Sequence, residues 1–236
     1  MIAFRVRQWH KWLSLFIGAQ VMIWLASGLY MVIMDLDFIH GDHLVRERPD
    51  TFMAGYSPEV GFADILSNYP EADEIVLANW IGNPVYRIYT AEGSLLVDAQ
   101  DGTQRSPLGK ADAIAVAQYH YARSRGVASA TLIETEADAP TELQSRKLPL
   151  WRIDFDDAGA TSFYVSPHDG TLVARRHTYW RIFDFAWMLH IMDYDERADV
   201  NNTFLRVAAG MGLTLSIIGM WLLWFSFNRR KRINGI

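Results

Sequence analysis

Two stretches of the chain run for more than twenty residues without a charge, and the segment between them alternates apolar with polar. The first, from Trp12 to Met34, reads LSLFIGAQVMIWLASGLYMVIM after its opening tryptophan. The second, from about Val207 to Phe227, reads VAAGMGLTLSIIGMWLLWFSF. A helix rises 1.5 Å per residue, so each run is long enough to cross a hydrocarbon core of about 30 Å. Both are predicted membrane spans. The first exceeds the apolar region of a secretory signal and is followed by Asp35-Leu36-Asp37 instead of a small-residue cleavage site, so it is expected to be retained.

Between the spans the periodicity repeats once. In the first half Ser57 is positioned to cap a short helix reaching Tyr69. Strands are then predicted over Glu74 to Trp80, Val85 to Thr90 and Ser94 to Asp98, with turns at Gly82-Asn83-Pro84 and Glu92-Gly93. In the second half Lys110 to Arg125 has helical spacing. Ala130 to Glu134, Leu150 to Phe155, Thr161 to Ser166 and Thr171 to Arg175 have strand character. The expected fold class is an α+β membrane protein, in which two transmembrane helices flank a domain of two helix-plus-antiparallel-sheet repeats. Its segments are residues 1–36 (N-terminus and first span), 37–176 (the domain, with repeats at about 56–105 and 110–176), 177–199 (an amphipathic, aromatic-rich interfacial helix) and 200–236 (second span and basic tail).

Charge sets the orientation. All 27 acids lie between Asp35 and Asp199, whereas Arg5, Arg7, Lys11, Arg229, Arg230, Lys231 and Arg232 occupy the two tails with no acid beside them. Basic residues mark the cytoplasmic side of a span, so both termini are expected in the cytoplasm, with the middle domain on the far side. In a bacterium that is an inner-membrane protein with a periplasmic domain. Trp9, Trp12, Tyr30, Trp221 and Trp224 fall where interfacial aromatics belong. Ser14 with Gly18, and Gly212 with Ser216, have the spacing of small residues that lets helices approach closely, and a homodimer would make a four-helix bundle. Membrane lipid is the expected surroundings, and no nucleic-acid partner is expected.

The 236 residues include no cysteine. This excludes disulfides, thiolate metal sites, iron–sulfur clusters and covalently attached c-type haem. The sequence has no H-E-x-x-H or G-x-S-x-G pattern that would point to a hydrolase, and no G-x-G-x-x-G or Walker lysine for a nucleotide.

The stretches VYRIYTAEGSLLVDAQDGTQ and LPLWRIDFDDAGATSFYVSPHDGTLVAR resemble the strand–turn–strand signature of PepSY domains. RQWHKWLSLFIGAQ with WLASGLYM resembles the first helix of the PepSY-associated transmembrane family, and WMLHIMDY followed by a Gly-containing span resembles its closing segment. The resemblance covers most of the chain. It implies a small form of a family whose members include haem-containing inner-membrane reductases of ferric iron or ferrisiderophores.

What that resemblance implies can be placed on residues. Without cysteine, imidazole is the expected axial ligand of a haem b. His190 lies in the aromatic run Phe183 to Met192, where an imidazole needs a partner: iron, a carboxylate such as Asp184, Asp193 or Asp195, or a carbonyl. His10 sits at the inner end of the first span, between Trp9 and Lys11. His40 and His43, three residues apart, follow that span on the outer side. These four are the candidate ligands, and Trp9 and Trp187 are candidates to pack against a porphyrin. A loop or interfacial histidine is the competing reading of each. His120 and His168 read as domain residues, and His177 beside Tyr179 and Trp180 as intermediate. A span separates His10 from the outer histidines, so His10 and His190 cannot share one haem. Asp35, Asp37, Asp193 and Asp195, with Asp42, Glu196 and Asp199, crowd the outer face and could attract hard Fe³⁺. Electrons would come from quinol or another redox protein. The reading from a different class is a non-enzymatic, membrane-anchored PepSY module that binds or inhibits a periplasmic partner such as a protease, or assists a transporter.

Overall fold

The structure, a computed structural model, describes residues 2–46, 58–143 and 146–233. Its contacts divide the chain into two compact units, Asp35–Arg181 and the pair Met1–Met34 with Ile182–Ile236. The protein is α+β, with two antiparallel sheets and two helices long and apolar enough to cross a membrane.

The unit Asp35–Arg181, called here the sheet unit, opens with α2 (Leu36–His40). Asp35 caps it, its carboxylate accepting the Phe38 N–H at 2.9 Å, and Gly41 ends it in the left-handed region at φ +78°. Helix α3 (Phe62–Asn68) precedes the sheet β1 (Glu74–Trp80), β2 (Asn83–Thr90), β3 (Gly93–Asp98). Helix α4 (Lys110–His120) precedes the sheet β4 (Val127–Ile133), β5 (Leu150–Phe155), β6 (Ser162–Val165), β7 (Leu172–Arg176). In both sheets each strand pairs with its sequence neighbours, and every pair is antiparallel.

The period-2 alternation sorts side chains into three apolar clusters. Val85, Leu96, Phe163 and Val165 point into a core shared by both sheets and filled by Ala113, Val116 and Ala117 of α4. The next residue on each strand faces away: Tyr86, Ile88 and Val97 pack on Ile65 of α3, and Tyr164 packs with Leu143 and Leu150. Phe163 and Tyr164 are both fully buried, which is why β6 reads as a continuous apolar run.

Tertiary contacts moved several expected boundaries. The first helix starts at Phe62, because Val60 donates its N–H to the Ala99 carbonyl and accepts the Tyr86 hydroxyl at 2.8 Å, and Gly61 is extended at φ −68°, ψ 151°. The expected cap Ser57 lies outside the described residues. Helix α4 stops at His120, not Arg125. Tyr121 turns extended, buries its ring against Phe155 at 3.9 Å and donates its hydroxyl to Asp157 at 2.6 Å. The first hairpin turns on Ile81-Gly82, both at positive φ (45° and 96°), so β2 begins at Asn83, two residues ahead of the expected Val85.

The second unit, the helix unit, contains α1 (Ile2–Ile33), most of α5 (Thr178–Ile191) and α6 (Thr203–Ile233). The apolar stretches Gln8–Ile33 and Thr203–Trp224 meet the length and hydropathy of a span. They leave large side chains bare: Phe16 is 78 % exposed and Phe204 73 %. Such continuous apolar surface is stable against lipid or another apolar surface, and unstable against water. Helix α5 ends at Ile191 and not near 199, since Met192 takes a left-handed conformation at φ 56°. The loop that follows is tied down from within. The Asp193 carboxylate accepts the backbone N–H groups of Asp195, Glu196, Ala198 and Asp199, while Arg197 pairs with buried Asp184.

Candidate functional site

Helix spacing puts Trp24, Ser27 and Gly28 on one side of α1, since residues three and four apart are neighbours on a helix surface. His190, one residue from the end of α5, meets all three. The Trp24 indole N–H donates to the His190 carbonyl, an oxygen in the last turn of α5 that has no partner within the helix. Ser27, buried at 6 % exposure, has its hydroxyl 3.2 Å from His190 Nδ1. An ideal Cβ built on Gly28 would lie 3.1 Å from His190 Cε1, so this position accommodates the imidazole because it has no side chain.

The Ser27 hydroxyl also lies within hydrogen-bond distance of the helix carbonyls of Ile23 at 2.8 Å and Trp24 at 3.1 Å. With its proton given to either carbonyl, its oxygen can accept from Nδ1–H, the tautomer that would leave a lone pair on Nε2. Among the described residues no group hydrogen-bonds that Nε2. This is the arrangement of a ligating histidine, with one nitrogen anchored and the other available. Of the carboxylates expected to orient His190, Asp184 pairs with Arg197, Asp193 accepts four amides and Asp195 is exposed, while the group beside Nδ1 is the Ser27 hydroxyl.

His10 lies eighteen residues before Gly28 on the same helix, about 27 Å away at the helical rise. Its Nδ1 is buried with no hydrogen-bond partner among the described residues, and the nearest atom to an ideal Cβ on Gly219 of α6 is His10 Cε1, at 3.9 Å. Trp9 is 70 % exposed. Trp24 also lines an apolar groove of about 670 Å³ in the helix unit, with Trp12 and Phe16 of α1, Tyr194, and Phe204 and Met211 of α6. Gln20 lines it too, and its buried Nε2 has no partner among the described residues. Trp187 donates its indole N–H to the Arg197 carbonyl at 3.0 Å and so braces the loop after α5. Gly18 and Gly212, expected at helix contacts, have nothing within 4 Å of an ideal Cβ.

In the sheet unit the histidines are used differently. His177, 2 % exposed, shares its Nε2–H between the carbonyls of Phe38 and Ile39, both at 3.1 Å. Burial lowers its pKa below the usual histidine value. The two carbonyls work against that shift, as does Asp157, and the Arg181 charge adds to it. His43 stacks on Phe38 at 4.5 Å and meets the His177 ring edge-on at 5.5 Å. Partial burial, then His177 and Arg123, lower its pKa against the pull of Asp42. His40 closes α2 and is exposed, and the left-handed Gly41 keeps it off any helical face shared with His43. Asp37 and Asp195 are exposed, whereas Asp35 caps α2. No group of three or more His, Asp or Glu side chains among the described residues is arranged to hold a metal ion.

Comparison of the chain with protein-family models, with curated proteins and with solved structures finds no match. Ser27 and Trp24 were not among the residues singled out from sequence, and Gly28 stood there only as one of the small residues spaced along the first span. The available signal was a buried serine and a glycine, adjacent, one turn before the end of an otherwise apolar span.

Proposed function

We propose that the chain is a haem-b protein of the bacterial inner membrane, with cytoplasmic termini and a periplasmic PepSY-like domain. It would act as a reductase of ferric iron, free or siderophore-bound, and so support ferrous iron uptake. The observation that carries the reading is His190: Nδ1 anchored by Ser27, ring seated on Gly28, Nε2 without a partner. His190 is half-buried, and its Nε2, without a partner among the described residues, is the ring nitrogen open to a ligand while Nδ1 is held.

The donor set and surroundings fit a b-type haem. His190 would hold one haem through Nε2 with Trp24 beside it, and His10, with its own buried unbonded nitrogen, would hold a separate one on the inner side, since a single haem cannot reach both. Bound haem would supply one-electron chemistry between a quinol or redox-protein donor and the ferric substrate. Ser27 holds Nδ1, Trp24 fixes the end of α5, and the Asp184–Arg197 pair with Trp187 holds the following loop. A second copy of the chain would complete a four-helix bundle around these positions.

The test is the visible spectrum of the full chain in detergent, oxidised and then dithionite-reduced, followed by ferrous iron release in proteoliposomes supplied with quinol. The reading expects a Soret band that shifts on reduction and quinol-dependent Fe²⁺. A protein that stays colourless after expression with added haem contradicts it.

A further inference from the structure

The sheet unit contains a groove of about 650 Å³ whose walls are two sheet edges. β1 is an outer strand of the first sheet and β7 an outer strand of the second, and residues Val76 to Ile81 face Leu172 to Arg176 across it. Among the described residues neither outer edge pairs with a further strand. The main-chain direction on β1 follows from its turn. Trp80 and Asn83 close a two-residue hairpin, so their N–H and C=O groups point at each other, and alternation turns those of Leu77 and Asn79 outward. Leu77 and Asn79 both line the groove. An open edge of this kind is a template for another strand unless it is blunted.

One further observation defines what would lie there. Arg87, Arg146, Arg175 and Arg176 line the groove together with His40 and His120, and among the described residues no acidic side chain does. Arg175 pairs with Asp42, and Arg176 donates to the Glu142 carbonyl. Arg87 and Arg146 have no carboxylate within ion-pair distance among the described residues. Trp80 is also a lining residue and belongs to the core beneath the groove. It is 6 % exposed, and its indole nitrogen is buried without an acceptor among the described residues. Gly170 brings the β6–β7 turn against that indole, since an ideal Cβ there would fall 2.5 Å from Trp80 Nε1. The groove therefore presents outward main-chain groups together with the charges of Arg87, whose Nε also donates to the Asp169 carbonyl at 3.1 Å, and Arg146.

We infer that this groove binds an extended, acidic peptide segment of a partner protein, which adds as a strand to the β1 edge while its carboxylates meet Arg87 and Arg146. Main-chain pairing gives such a site its affinity, and alternate side chains give it specificity. Guanidinium–carboxylate contacts select the acidic sequence. The inference is independent of haem, and the two can fail separately.

The test is fluorescence anisotropy of short labelled peptides titrated with the full chain in a non-ionic detergent. The probes are an alternating Glu-Val peptide, its Lys-Val counterpart, and the Glu-Val peptide N-methylated at every second residue. The Glu-Val peptide is expected to bind saturably and the Lys-Val peptide not to bind. N-methylation should weaken binding at least tenfold, because it removes the strand hydrogen bonds and keeps the charge. Arg87→Gln and Arg146→Gln should each raise Kd by about tenfold, the scale of one charge-assisted contact. Equal binding of the N-methylated peptide, displacement by free glutarate at matched carboxylate concentration, or no binding of the Glu-Val peptide would each overturn the proposal.

Discussion

The sheet unit and the helix unit treat buried polar groups in opposite ways. In the sheet unit they are bonded, with the Trp80 indole nitrogen the exception among the described residues. Glu142, 7 % exposed, accepts the Tyr164 hydroxyl and two Arg181 N–H groups. Asp157 accepts from Tyr121, the Thr161 N–H and the Thr161 hydroxyl, and His177 is held by two carbonyls. In the helix unit His190 has a partner on one ring nitrogen only, and His10 Nδ1 and Gln20 Nε2 are buried with none among the described residues. Saturated groups define a fold, and unsaturated ones of the same chemistry mark where something else is to bind.

Breaking a saturated site should have the largest effect on stability. Burial pushes the Glu142 carboxyl up, but the Arg181 guanidinium and the Tyr164 hydroxyl outweigh it and hold the group ionised below the usual range. Glu142→Ala strands Arg181 and Tyr164 and is expected to destabilise the sheet unit by about 3 kcal/mol, read as a lowered unfolding midpoint. His177→Ala should cost about 2 kcal/mol by leaving two carbonyls and a cavity.

His177 also predicts a pH dependence. Its folded pKa is lowered, so the folded state favours the neutral ring and the unfolded state takes the proton first. Stability is full above about pH 6.5, the unfolded value, and declines as pH falls from there towards the lowered folded value. The Arg181 charge adds to this and Asp157 opposes it, while His43 faces the same ring. His177→Gln should remove that slope, which urea unfolding at a series of pH values would report. A smaller effect is expected at Tyr121. Its pKa is pushed up to about 12 by burial and the Asp157 carboxylate, and Tyr121→Phe should cost about 1 kcal/mol.

Substitutions at the unsaturated site should leave the sheet unit's melt unchanged and alter ligand binding. Gly28→Ala places a Cβ against the His190 ring and is expected to shift the haem spectrum or lower haem content. Gly18→Ala, with open space around it, should do neither. Equal effects from the two alanines would remove the distinction between the units.

Much of the architecture was legible in the sequence because it rests on local pattern. The two apolar runs, the seven strands and the helix before each sheet all follow from periodicity and turn residues. Ends decided by distant contacts were not legible, such as Val60 held by Ala99 and Tyr121 drawn out of α4 by Asp157. The same limit applies to the site. A histidine in an aromatic run is visible as one needing a partner, but carboxylates nearby in sequence were expected to provide it, and the partner is a serine 163 residues away. The groove between β1 and β7 was invisible for the same reason, because no local pattern says which strands end up as edges facing each other.

Haem content per chain of the purified full-length protein, compared among wild type, His190→Ala and His168→Ala, tests the central claim most directly. The account predicts that wild type and His168→Ala carry haem with sharp reduced α and β bands, and that His190→Ala loses haem or those bands. Full haem content with an unchanged spectrum in His190→Ala would contradict it.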